Sequence, residues 1–179
     1  MESNVIPKRF LFGISDRGLE LRCVRVTRIR DDMSFVPQYV EHVMPIEDDK
    51  TIETILRGAR TIAVVGASPK PWRDSGTIAS FLAARGYTVI PVNPAYQDVL
   101  GMKCYPDLVS IGSPVDIVDI FRNPDEVLPV IDEAIAIGAK TVWMQLGVVN
   151  AEAAKKAEQA GLQLIMDRCI AVDYRRLVR

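Results

Sequence analysis

The chain has 179 residues, 49% apolar and 25% charged, with a formal net charge of −1, one histidine and three cysteines. This composition fits an ordinary globular protein of one domain plus extra material, and its charge balance gives no electrostatic footprint for nucleic acid or an anionic membrane. Apolar runs such as 62–65 are strand-sized, well short of the ~20 residues of a membrane-crossing helix, and the dispersed Cys23, Cys104 and Cys169 suit a reducing, cytoplasmic setting rather than a disulfide framework or a CxxC metal site.

Residues 1–32 differ in character from the rest. Arg17, Arg22, Arg25, Arg28 and Arg30 are interleaved with Leu19, Leu21, Val24, Val26 and Ile29, while Asp16, Glu20, Asp31 and Asp32 argue against a transit peptide. No export signal is visible, and Met33 offers an alternative start after these 32 residues, so 1–44 is expected to be an N-terminal extension of uncertain order. His42 is expected to be an ordinary surface histidine. The domain proper is expected over 45–179. It opens with a short amphipathic helix in which Ile52, Ile55 and Leu56 share a face, acids stand at the start and Gly58 follows the end.

From Thr61 the pattern becomes regular. Strands are expected at 61–65, 87–92, 115–121, 141–145 and 162–166, with a possible short one at 102–105. Helices are expected at 75–85, 124–137 and 151–160, each followed by glycine, with a helical turn at 107–111. The strands are continuous apolar runs, as a parallel sheet covered on both faces requires. Their alternation with helices specifies right-handed crossovers and hence a Rossmann-like, doubly wound open sheet of three layers.

In such a sheet ligands bind beyond the carboxyl ends of the strands, where strand order reverses around the first strand. Those ends are Gly66-Ala67-Ser68, Val92-Asn93-Pro94, Phe121-Arg122-Asn123, Met144-Gln145-Leu146 and Asp167-Arg168-Cys169. Gly66 permits a backbone conformation closed to other residues, and the small Ala67 and Ser68 let main-chain amides approach an anion. The helix from Ser75 would aim its positive N-terminal end at the same space. A phosphate or pyrophosphate is the expected guest; the plainer alternative is a tight turn and nothing more.

A nicotinamide dinucleotide is the commonest guest of this architecture, and two of its requirements are missing. The GxGxxG fingerprint is absent, because Ser68 stands where a second glycine would be and the loop is lengthened by Pro69, Lys70, Pro71, Trp72 and Arg73. No acid ends the second strand, which closes with Val92, Asn93 and Pro94. No GxxxxGK[ST] occurs, which excludes a P-loop. The loop is instead cationic, with Lys70 and Arg73 beside the turn and Arg122 at the next strand end, an arrangement suited to a ligand with additional phosphate. Trp72 could cover an adenine or clamp the loop onto the core.

The run GASPKPWRDSGTIASFLAARGYTVIPVNP, followed by 101–108, VDIVDIFRNPDEV, AKTVWMQLGVVNAEAAKKAEQAGL and MDRC, resembles the small stand-alone CoA-binding proteins. These are similar to the nucleotide-binding domain of the succinyl-CoA synthetase alpha subunit. The resemblance covers roughly residues 51–174. It implies that Gly66, Ala67, Ser68 and Lys70 hold phosphates, that Val92, Asn93 and Pro94 line the nucleotide side, and that Phe121 and Arg122 flank the adenosine or the start of the pantetheine. Met144, Gln145 and Cys169 would border the pantetheine end. Coenzyme A carries a diphosphate and a separate ribose 3′-phosphate, which agrees with an anion turn among cations and no ribose-binding acid.

The related ligases need a phosphorylated histidine in a second domain, and neither is evident here. The expectation is therefore a CoA or acyl-CoA binder, monomeric or homodimeric, that acts without turnover as an accessory or regulatory protein. Two other classes remain: an NADP-binding redox sensor or oxidoreductase domain using Lys70 and Arg73 for the 2′-phosphate, and an interaction module with an empty cleft. Cys169 is read as a small core residue, or as a thiol able to form a mixed disulfide with CoA on oxidation.

Overall fold

The computed structural model describes residues 44–70 and 72–178. The expectations concerning 1–43, with Cys23, Met33 and His42 among them, lie outside the described residues.

Helix α1 (Asp49–Gly58) starts where Asp48 Oδ1 accepts a hydrogen bond from the Thr51 amide at 2.9 Å, and it buries Ile52, Ile55 and Leu56. Strand β1 (Thr61–Val65) leads to helix α2 (Asp74–Ala84) and strand β2 (Thr88–Val92). A two-residue ladder of β3 (Asp98–Val99) and β4 (Met102–Lys103) follows, then a 3-10 turn at Val109–Ile111. Strand β5 (Ile117–Ile120), a 3-10 turn at Pro124–Glu126, helix α3 (Val127–Ala136), strand β6 (Thr141–Met144), helix α4 (Ala151–Gln159), strand β7 (Gln163–Ile165) and helix α5 (Ile170–Leu177) complete the order.

The five long strands form one parallel sheet in the order β2-β1-β5-β6-β7. The chain moves outward from β1 in one direction to β2 and then in the other to β5, so the order reverses between β1 and β5. Successive side chains point to opposite faces of each strand. Ile62 and Val64 therefore join a core shared with α1, α2 and α5, while Ala63 and Val65 join the core beneath α3 and α4. Burial on both faces accounts for the unbroken apolar runs in the sequence.

At the amino end of the sheet, Asp116 ties three strands together. Its carboxylate accepts from the Arg60 and Thr61 amides at 2.8 and 3.0 Å, from Thr61 Oγ1 at 3.1 Å and from Lys140 Nζ at 2.7 Å. Partial burial works against ionisation, but the Lys140 bond and the bonds from Arg60 and Thr61 hold the carboxyl well below the usual range.

Four elements differ from expectation: β3 falls in the polar connection after β2, the helix expected from Pro124 begins as a 3-10 turn, and the other two lie at 102–105 and 170–177. The 102–105 segment makes only the short ladder with β3, and Tyr105 then bridges to Val92. Helix α5 was not anticipated: Ile170 and Ala171 pack onto the α1 and α2 side, and Asp173, 4% exposed, accepts from Arg168 Nε and Nη2 at 2.8 Å each and from Arg176 Nη2 at 2.9 Å. Arg176 also pairs with Asp49, locking α5 to α1.

Candidate functional site

β1 ends at Gly66, whose φ of +85° is open to glycine and strained for other residues. A Cβ there would meet the Phe121 carbonyl oxygen at 2.3 Å, so the turn also lies directly against the end of β5. The following loop rises to α2, which approaches so closely that a Cβ on Gly76 would lie 2.4 Å from the Ser68 carbonyl oxygen. Arg73 occupies the N-cap of α2 and no side chain caps that end. The positive end of the helix is left to face the space above the turn.

That space is a cavity of about 770 Å³ at the strand-order reversal, within the range of small-molecule sites. Of the residues nominated from sequence, Gly66, Ser68, Lys70, Trp72, Arg73, Ser75, Asn93, Phe121, Arg122, Gln145 and Cys169 line it. Four do not. Ala67, Val92 and Met144 are 0%, 2% and 0% exposed and are spent on the two cores, because the pleat turns their side chains into packed layers; Pro94 is exposed outside the lining.

Asn93 has a defined task. Its Nδ2 donates to the Ala67 carbonyl at 2.8 Å, and its Oδ1 accepts from the Ala95 amide at 3.0 Å. The residue standing where a dinucleotide fold has its ribose acid thus braces the Gly66–Ser68 turn from the neighbouring strand. Ser68 Oγ accepts from the Lys70 amide at 3.3 Å, tightening the same turn.

Lys70 and Arg73 are exposed, and Arg122 is partly buried beside Glu126, with its Nη1 3.8 Å from a Glu126 carboxylate oxygen. Three cations therefore stand on two banks of one cavity. Trp72 is 74% exposed with the Lys70 ammonium 5.9 Å from its ring centroid, which rules out its role as a clamp onto the core.

The cavity also takes in Asn123 and Leu146 from the expected strand ends, and residues that the sequence pattern does not single out: Asp74, Thr77, Ile78, Tyr96, Glu126 and Val148. Gly76 was legible as a glycine in the first turn of a helix that needs none. Beneath the floor lies Asp119, also unremarked, although a carboxyl in the middle of VDIVDIF is conspicuous. It is 0% exposed, and its Oδ1 accepts from Gln145 Nε2 at 2.8 Å while Oδ2 has no partner. Burial pushes its pKa up to about 8 against the lesser opposing pull of the Gln145 bond, so Asp119 holds its proton at neutral pH.

Cys169 borders the cavity as the N-cap of α5, half-buried, and its position is fixed from below: Trp143 Nε1 donates to the Arg168 carbonyl at 2.7 Å. Cys104 is buried away from the lining, its thiol near the Asn93 carbonyl at 3.6 Å, and burial raises its pKa. No cluster of three or more metal-ligating side chains occurs among the described residues, and no helix among them is long and apolar enough to cross a membrane.

The family model described as "CoA binding domain" matches residues 60–175, a span that holds every residue of this cavity. The chain belongs to the CoA binding domain family. The uncharacterized protein YneT of Bacillus subtilis is 39% identical over 123 residues, which cover 69% of this chain and 91% of that one. Among solved structures, a hypothetical protein from Pyrococcus horikoshii is 42% identical with a TM-score of 0.73, and the match covers 78% of this chain and all of that one. Similarity extends to part of a ligase. Acetate–CoA ligase [ADP-forming] I of Archaeoglobus fulgidus is 28% identical over 123 residues, which are 63% of this chain and 18% of that enzyme. The ligase relatives belong to the superfamily of the succinyl-CoA synthetase alpha subunit, as the sequence motifs implied.

Proposed function

We propose that the cavity binds coenzyme A or an acyl-CoA, and that the chain acts as an accessory or regulatory binding protein without turnover. The observation that carries this reading is convergence on one cavity of the Gly66 turn, the uncapped N-terminus of α2 and three cations, Lys70, Arg73 and Arg122. A diphosphate against the turn and helix end, with a further phosphate for the flanking cations, matches that charge distribution.

The NAD alternative is weakened by a positive feature. Asn93 spends its Nδ2 on the turn and accepts the Ala95 amide at its Oδ1, so the end of β2 braces the turn and offers a ribose no acid in its place. Family membership and the name of the acetate–CoA ligase relative support a CoA ligand. The binder reading draws on the match to YneT across nearly its whole length, against a match to less than a fifth of the ligase.

On this reading Gly66, Ser68 and the first turn of α2 hold the diphosphate, and Lys70, Arg73 and Arg122 neutralise the remaining charge. Exposed Trp72 offers a face to the adenine, and Phe121, Gln145 and Cys169 border the arm that ends in the thiol. Calorimetric titration of the full chain with CoA, acetyl-CoA, NAD and NADP is the test. Binding of CoA or acetyl-CoA with little heat from the nicotinamide nucleotides is expected; stabilisation by NADP with none by CoA would establish the redox reading instead.

A further inference from the structure

The Asp119–Gln145 pair is a polar connection inside an otherwise apolar layer. On its side of the sheet Asp119 is flanked in register by Val64 on β1 and Trp143 on β6, both fully buried. A leucine in that place would pack without desolvating a carboxyl, and replacing buried polar pairs by apolar groups is often neutral or stabilising. Among the described residues Asp119 has one polar partner, the Gln145 amide nitrogen, and its second oxygen bonds to none of them. What the carboxyl supplies is therefore the orientation of Gln145.

Gln145 is itself 3% exposed, and it stands one pleat nearer the carboxyl end of the sheet, lining the cavity. One of its N–H groups is committed to Asp119. The remaining N–H and the carbonyl oxygen offer one donor and one acceptor, either of which can make a hydrogen bond to the C=O or the N–H of a secondary amide. Coenzyme A carries two such amides in its pantetheine arm.

We infer that Gln145 reads a pantetheine amide of the ligand and that Asp119 is the positioning residue that holds it in the reading orientation. The inference rests on the CoA reading above and adds to it a discriminating group at the end of the cavity away from the phosphates. An acyl group or thiol would be placed by this contact rather than by the anion turn.

Titrations of the full chain with CoA, desulfo-CoA and adenosine 3′,5′-bisphosphate, which lacks the pantetheine arm, test it. Asp119→Leu and Gln145→Leu are each expected to weaken CoA and desulfo-CoA roughly tenfold, the scale of one hydrogen bond, and to leave the bisphosphate unchanged. Asp119→Asn, which keeps an acceptor for Gln145, is expected to retain most of the affinity, and Asp119→Leu added to Gln145→Leu is expected to cost nothing more. Equal weakening of CoA and the bisphosphate by Asp119→Leu would make Asp119 merely structural and overturn the inference while CoA binding stands. Loss for CoA but not for desulfo-CoA would assign Gln145 to the thiol and overturn it likewise. Wild-type protein that bound none of the three would overturn both readings together.

Discussion

Gly76 in the first turn of α2 lies against Ser68 so closely that its missing Cβ would stand 2.4 Å from the Ser68 carbonyl oxygen. A dinucleotide fingerprint uses its third glycine to bring helix and strand together, and here that service is performed ten residues beyond Gly66, across a loop too long for the motif.

Gly76→Ala is accordingly expected to be costly in a helix position where alanine is ordinarily favourable. The obstruction is a backbone atom rather than a flexible side chain, so either α2 or the turn must shift, at about 2 kcal/mol. Urea unfolding should show a lower midpoint with an unchanged slope, and CoA affinity should fall with it. A midpoint at or above the wild-type value would show that α2 moves away without cost.

Much of the architecture was open to reading because the strands are apolar runs punctuated by glycine, and periodicity reports burial directly. The site was legible where backbone chemistry defines it, at Gly66, Ser68 and the start of α2. It was illegible where a side chain on a strand end had to be assigned to a face: Val92 and Met144 occupy strand ends, yet the pleat delivers them to the cores. Helix α5 carried its signal in Ile170, Tyr174 and Leu177, spaced four and three apart, but charged neighbours masked it. Asp173 and its arginines are meaningful only once α1 is known to lie alongside.

Removing single cations separates the phosphates. Arg122→Ala and Lys70→Ala are each expected to weaken CoA several-fold at low ionic strength, with the penalty shrinking as salt screens the exposed charges. Titration with dephospho-CoA identifies the ribose-phosphate contact, since a cation serving that group loses its effect when the phosphate is absent. Salt-independent affinities in the wild type and both variants would place the anion elsewhere.

Trp72 gives an optical readout. It is exposed at the cavity while Trp143 is fully buried, so emission from Trp72 should respond selectively to a base stacked on it. Saturating CoA is expected to quench the fluorescence, and Trp72→Leu to abolish the response with a loss of a few-fold in affinity. Unaltered emission at calorimetric saturation would leave Trp72 outside the contact.

Asp173 anchors α5, and with it the backbone that carries Cys169. Burial opposes its ionisation, but hydrogen bonds from Arg168 and Arg176 outweigh it and lower its pKa. Its contribution is thus present above the ordinary aspartate range and lost as pH falls through the lowered value. Asp173→Asn is expected to cost about 2 kcal/mol near neutrality, reduced from a fully buried pair because both arginines reach solvent. Thermal melts should converge with the wild type at strongly acid pH; a constant difference down to pH 2 would remove the ionic explanation.

Asp119 gives the opposite slope in a different window. Its folded-state pKa is raised from the ordinary value of 3.8 to about 8, so the folded chain holds a proton there that the unfolded chain releases. Its contribution is complete below the ordinary value and declines as pH rises, until the folded state also ionises near 8. Asp116 and Asp173, both lowered, act mainly below that window, which leaves the interval between about 4 and 8 to Asp119 among these three carboxyls. Asp119→Asn should therefore flatten the melting temperature across this interval, and the variant should gain on the wild type steadily toward pH 8. Parallel curves for the two proteins would mean that Asp119 is ionised in the folded state throughout, with a partner other than Gln145 compensating its charge.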